Sequence, residues 1–147
     1  MHVDFVLIGE GPSDYALVTP LRDLLIKLGA LSVYGYAIDF RRVSNVRSDV
    51  YSKLAWAIEN ASGTDLFFIH RDADARDSER RRTEISDAAS ACDCESFVCV
   101  VPVHAIEAWV LIDEPNIRRL ADNPSGTVYL GLPKSAHVER VADPKNR

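Results

Sequence analysis

The chain has 147 residues, 47% of them hydrophobic and 27% charged, a size and balance that suit one globular domain, residues 1–147, and exclude a disordered or fibrous chain. No apolar run approaches the roughly 18 to 20 residues that span a bilayer, and Met1-His2-Val3-Asp4 lacks the basic segment that opens a signal peptide, so no membrane partner and a cytoplasmic location are expected. The formal net charge of -5 counts against an extended nucleic-acid surface, whose affinity rests on lysine and arginine.

Val3 to Ile8 is apolar at nearly every position, as expected of a strand covered on both faces in a parallel sheet. It ends in Gly9-Glu10-Gly11-Pro12, after which Ser13 or Asp14 is expected to cap a helix. That helix carries Leu17, Val18, Leu21, Leu24, Leu25 and Leu28 at helical spacing and stops at Gly29. A second strand is expected within Ser32 to Val43, and a helix from about Val46 to Ala61 with Val50, Leu54, Ala57, Ile58 and Ala61 on one face. Leu66 to Ile69 reads as a short buried strand running directly into His70-Arg71-Asp72-Ala73-Asp74.

A polar helix from about Ser78 to Ala91 leads to a further strand, Phe97 to Val101, ended by Pro102, and His104 to Asp113 reads as a helix. Strands alternating with helices predict an α/β three-layer sandwich with a mostly parallel central sheet. Beyond Pro115 the pattern degrades into loops, and the chain is expected to stop short of a last helix. The three cysteines, Cys92, Cys94 and Cys99, are an odd number within eight positions; they suit buried reduced thiols better than a disulfide framework or a zinc site.

Ligands of open α/β sheets bind at the carboxyl ends of strands, where Glu10 follows one strand and Asp72 and Asp74 another. Carboxylates brought together there repel, and a divalent cation is one remedy; hard oxygen donors suit Mg²⁺ or Mn²⁺. In extended backbone Asp72 and Asp74 point the same way, so that one ion sees both. The plainer reading makes Glu10 and Asp14 partners of a helix N-terminus, and Asp72 and Asp74 turn formers. Arg71, Arg76, Arg80, Arg81 and Arg82 flank the aspartates as a basic cluster for a phosphate backbone, or else form a solvated helix face with Asp77, Glu79 and Glu84. His70 reads more simply as a strand-end residue than as a proton donor.

An apolar strand, a Glu-Gly turn and a helix, followed later by an apolar strand and Asp-x-Asp, resemble the Toprim domain of topoisomerases, DnaG-type primases and overcoming-lysogenization-defect nucleases. More narrowly, residues 9–14, Asp72-Ala73-Asp74, Pro102 with Ile106-Glu107-Ala108-Trp109 and Asp113, and Asp143-Pro144-Lys145 resemble a family of small stand-alone Toprim-like proteins of bacteria. The resemblance implies a Toprim-like fold and Mg²⁺- or Mn²⁺-dependent cleavage or transfer at a phosphodiester. Glu10 would be the general acid/base and also touch the metal that Asp72 and Asp74 hold. Asp14 and Glu107 would add a second metal position, and Lys145 or Lys134 would stabilise the transition state, while Arg71 and Arg76 of the basic cluster would meet substrate. By family analogy the setting is bacterial defence or a mobile element. The alternative is a non-catalytic Toprim-like metal-binding or regulatory module, with a partner protein supplying the nucleic-acid contacts.

Overall fold

The fold is that of a computed structural model, which describes residues 1–73, 78–102, 114–120, 122–132, 134 and 137. The chain forms two compact units, Met1–Arg71 with Glu79–Val101, and Asp72–Ser78 with Pro102–Arg147.

The first unit is an α/β fold around a four-stranded, all-parallel sheet. Its strands are β1 (His2–Ile8), β2 (Ser32–Ala37), β3 (Leu66–His70) and β4 (Phe97–Val100), in the order β2-β1-β3-β4. Helices α1 (Val18–Lys27), α2 (Val50–Asn60) and α3 (Ser78–Ala91) join them in turn. The expected strands at Val3 to Ile8, Leu66 to Ile69 and Phe97 to Val101 are therefore neighbours and parallel. Both central strands run apolar because both faces are covered: Phe5, Val6, Leu7 and Ile8 of β1 and Phe67, Phe68 and Ile69 of β3 are all buried. Phe5 meets Phe68 edge to face, with ring centroids 5.2 Å apart. Leu54 and Ala57 of α2 and Ile85 and Ala89 of α3 complete this core.

Three local expectations change. The helix after β1 starts as a 3₁₀ segment, Pro12–Leu17, and its N-cap is Gly11 rather than Ser13 or Asp14. Asp14 sits in the first turn and reaches back to cap it from inside, a geometry that a Gly-Glu-Gly-Pro turn permits. Leu17 and Leu21 are buried, but Leu24 and Leu28, at the same helical spacing, face solvent. The second strand falls within its expected range and stops at Ala37, ahead of a short 3₁₀ turn, Phe40–Arg42, that Asp39 caps through its side chain. The next helix begins at Val50, capped by Asp49, whose carboxylate accepts from the Ser52 N–H.

Gly35 of β2 lies opposite Phe5 of β1, and a Cβ built there falls 2.1 Å from the Phe5 ring. With Phe5 1% exposed, the ring has nowhere to move. Gly35→Ala is accordingly expected to lower unfolding stability by about 1 to 3 kcal/mol through overpacking. A urea midpoint equal to wild type would refute this.

In the second unit the Ala73 N–H donates to the Pro102 carbonyl at 3.2 Å. Helix α4 (Glu114–Leu120), which the sequence pattern did not announce, is braced by Glu114 and Arg118 one turn apart, with Arg118 Nε 2.8 Å from Glu114 Oε1. The helix expected from His104 to Asp113 lies outside the described residues. No helix among the described residues is long and apolar enough to cross a membrane.

Candidate functional site at the strand ends

The strand order makes a switch point. From β1 the chain crosses to β2 on one side, while from β3 it crosses to β4 on the other. The segments leaving the carboxyl ends of β1 and β3 therefore diverge from adjacent strands, the place where open α/β sheets bind ligands.

Asp14 is the most deeply built acid there, only 4% exposed. Its Oδ2 accepts from the Glu10 N–H at 2.7 Å and the Gly11 N–H at 3.2 Å, and lies 3.0 Å from His70 Nδ1. Its Oδ1 accepts from Ser13 Oγ at 3.2 Å. Burial pushes the Asp14 carboxyl up, but the His70 hydrogen bond and charge and the two amides outweigh it and hold the pKa down at about 2. An ionised carboxylate only accepts, so Nδ1 of His70 carries the hydrogen of this contact. His70, the last residue of β3, is 1% exposed. The pair thus ties the turn after β1 to the end of β3. Gly9 makes room for it, since a Cβ at that position would stand 2.7 Å from Asp14 Oδ2.

Glu10 is exposed, and its Oε1 is 2.8 Å from Arg71 Nη1. Arg71 also reaches Glu84 of α3 at 3.4 Å, and Glu84 meets Arg81 at 3.0 Å. Arg71, expected to await substrate, is thus already engaged by two carboxylates. Lys53 of α2 was not anticipated. It is 7% exposed, and its Nζ donates to the Gly9 carbonyl at 2.8 Å and lies 5.5 Å from the centre of the Phe40 ring. Burial and then the Arg71 charge push its pKa below the ordinary lysine value, against the opposing pull of Glu10, Asp14 and Asp49. Beside it Asp39 holds Arg41 through two 2.8 Å contacts, and this pairing, aided by Tyr15, keeps the Asp39 carboxyl well below the usual range.

Asp72, half-buried, follows the end of β3 by two residues and belongs to the second unit. Asp74, Arg76, Glu107 and Lys145 lie outside the described residues, and Lys134 is exposed. Among the described residues no three His, Cys, Asp or Glu side chains gather as for a metal ion. Glu10 fits a hard cation as a partly open carboxylate, whereas Asp14 is committed to its three N–H donors. The cysteines are half-buried free thiols, each with its pKa raised, chiefly by burial. They therefore stay protonated at neutral pH. No protein-family model, curated protein or solved structure matches the chain.

Proposed function

We propose that the protein is a divalent-metal-dependent nuclease or related phosphodiester phosphotransfer enzyme with a three-layer, Toprim-like fold, acting on nucleic acid in the cytoplasm. The observation that carries this reading is the parallel order β2-β1-β3-β4, in which Glu10 and Asp72 stand in the segments that leave the two central strands. Glu10, Asp72 and Asp74 would hold Mg²⁺ or Mn²⁺, which when bound neutralises charge on the phosphate and lowers the pKa of water. Glu10 would move the proton, Asp14 with His70 would fix the turn that presents Glu10, and Arg71 would steady the carboxylate before substrate arrives.

Two observations favour a second reading, a non-catalytic metal-binding or regulatory module working with a partner protein. The Glu10 carboxylate is already balanced by Arg71, and the chain's net charge of -5 leaves phosphate contacts to another molecule. Plasmid nicking with Mn²⁺ separates the two. Wild type is expected to cut and Asp72→Ala to lose cutting while keeping its thermal transition. Wild type that binds Mn²⁺ in calorimetry yet cuts neither DNA nor RNA would leave only the module.

A further inference from the structure

Lys53 is a charged residue placed where charges are costly. An ammonium taken out of water is ordinarily compensated by a carboxylate, and among the described residues none lies within ion-pair distance of Nζ. Its close contacts are one carbonyl, Gly9 O, and the face of Phe40. An ammonium has three N–H donors, and the Gly9 carbonyl uses one. The second cation that bears on it, Arg71, repels it.

Beside Nζ is a cleft lined by Gly9, Glu10, Tyr15, Asp39, Phe40 and Lys53, with Gly11, Ile38 and Arg41 completing the wall. Its interior has about 20 Å³ of free space, enough for one water-sized oxygen. The acids at its rim are spoken for: Asp39 by Arg41 and Glu10 by Arg71. Lys53 is the cation left over. A small space that takes one oxygen, walled by a buried ammonium with a single hydrogen-bond acceptor, suits an anionic oxygen rather than a neutral group.

We propose that Lys53 binds a terminal oxygen of a phosphate group, which enters the cleft between the turn after β1 and the turn after β2 while the rest of the phosphate stays at the open mouth. This rests on the phosphodiester reading for its choice of anion: lysine serves phosphate as a point charge. It places the substrate phosphate on the β1–β2 side of Glu10, away from α3. The groups facing Nζ set the pH range. Arg71 opposes its charge and Glu10, Asp14 and Asp49 support it, so phosphate affinity is expected to fall as pH rises through a Lys53 pKa lower than that of a free lysine. Bound phosphate would in turn raise that pKa.

Calorimetric titration of the metal-free full chain with inorganic phosphate, and separately with acetate, tests the assignment. Wild type is expected to bind phosphate saturably and acetate weakly, and Lys53→Met is expected to lose at least about tenfold in phosphate affinity, or about 1.4 kcal/mol, with its fold kept because an apolar side chain replaces a buried charge. In the wild type itself, the Lys53 ¹³Cε resonance is expected to titrate at higher pH when phosphate is present. The proposal is overturned by phosphate binding that Lys53→Met leaves unchanged, by no saturable binding in wild type, by acetate binding as tightly as phosphate, or by a Lys53 titration that phosphate does not move. No metal and no cleavage enter these measurements. A nuclease that cuts but shows no Lys53-dependent phosphate binding would sink this assignment alone, and phosphate binding without cleavage under any metal would sink the catalytic reading alone.

Discussion

Replacing Asp14 by alanine is expected to cost about 3 to 5 kcal/mol of unfolding free energy, the range for breaking a buried charged pair from one side. The carboxylate is 4% exposed, and its loss strands the buried Nδ1–H of His70 and leaves the part-buried N–H groups of Glu10 and Gly11 without their acceptor. Against a total of about 5 to 15 kcal/mol for a native domain, that is a large share. Asp14→Asn is expected to cost less, because an amide oxygen still accepts from the two backbone groups.

The pH dependence follows from the lowered pKa. The folded carboxyl titrates at about 2 against 3.8 for its ordinary value, so its contribution is complete above pH 4 and disappears as pH falls through about 2. Its size is about 2 kcal/mol, from the 1.36 kcal/mol carried by each pKa unit. Urea unfolding of the metal-free protein between pH 2 and pH 6 should show this loss in wild type and not in Asp14→Asn. An Asp14→Ala midpoint within experimental error of wild type would mean that the three N–H groups find other acceptors.

Why the site was only partly legible follows from which contacts are local. The strands of the sheet announce themselves as apolar runs, because a parallel sheet buries both faces, and the turn carrying Glu10 follows from where the first run stops. The partnership of Asp14 with His70 spans 56 positions. No spacing rule connects them; only the pairing of β1 with β3 does. The Arg71 ion pair with Glu10 has the same origin, and so an arginine that looked available for substrate is engaged inside the protein.

Lys53 did carry a local signal. Val50, Lys53, Leu54, Ala57 and Ala61 recur at the three- and four-residue steps of one helix face, and all five are buried. A lysine inside an apolar stripe is an exception to the rule that lysines face water. The reverse error came from α1, where Leu24 and Leu28 keep helical spacing but stand 47% and 75% exposed. Periodicity identifies a helix and the side it prefers to bury, but not how far along its length a neighbour covers that side.

Glu10→Gln is expected to lower metal-dependent cleavage by about 10² to 10⁴, the range of a lost general acid/base, and the more telling experiment combines it with Arg71→Ala. Glu10 Oε1 is 2.8 Å from the Arg71 guanidinium, so a metal ion and Arg71 compete for one carboxylate, and among the described residues Glu84 would remain to hold Arg71 after Glu10 turned to metal. Removing Arg71 frees Glu10 and leaves two acids with less compensation. Mn²⁺ affinity is therefore expected to rise about tenfold in Arg71→Ala, equivalent to about 1.4 kcal/mol. Cleavage should fall all the same, because the cation that steadies Glu10 is lost. In Glu10→Gln with Arg71→Ala the gain in Mn²⁺ affinity should vanish, since the carboxylate that Arg71 was occupying is no longer there. The coupling between the two substitutions, read from calorimetric Mn²⁺ titrations of the four proteins, isolates that competition from any general change in charge. If Arg71→Ala raised Mn²⁺ affinity equally in the wild type and in the Glu10→Gln variant, Arg71 would be acting through charge at a distance and Glu10 would not be a metal ligand.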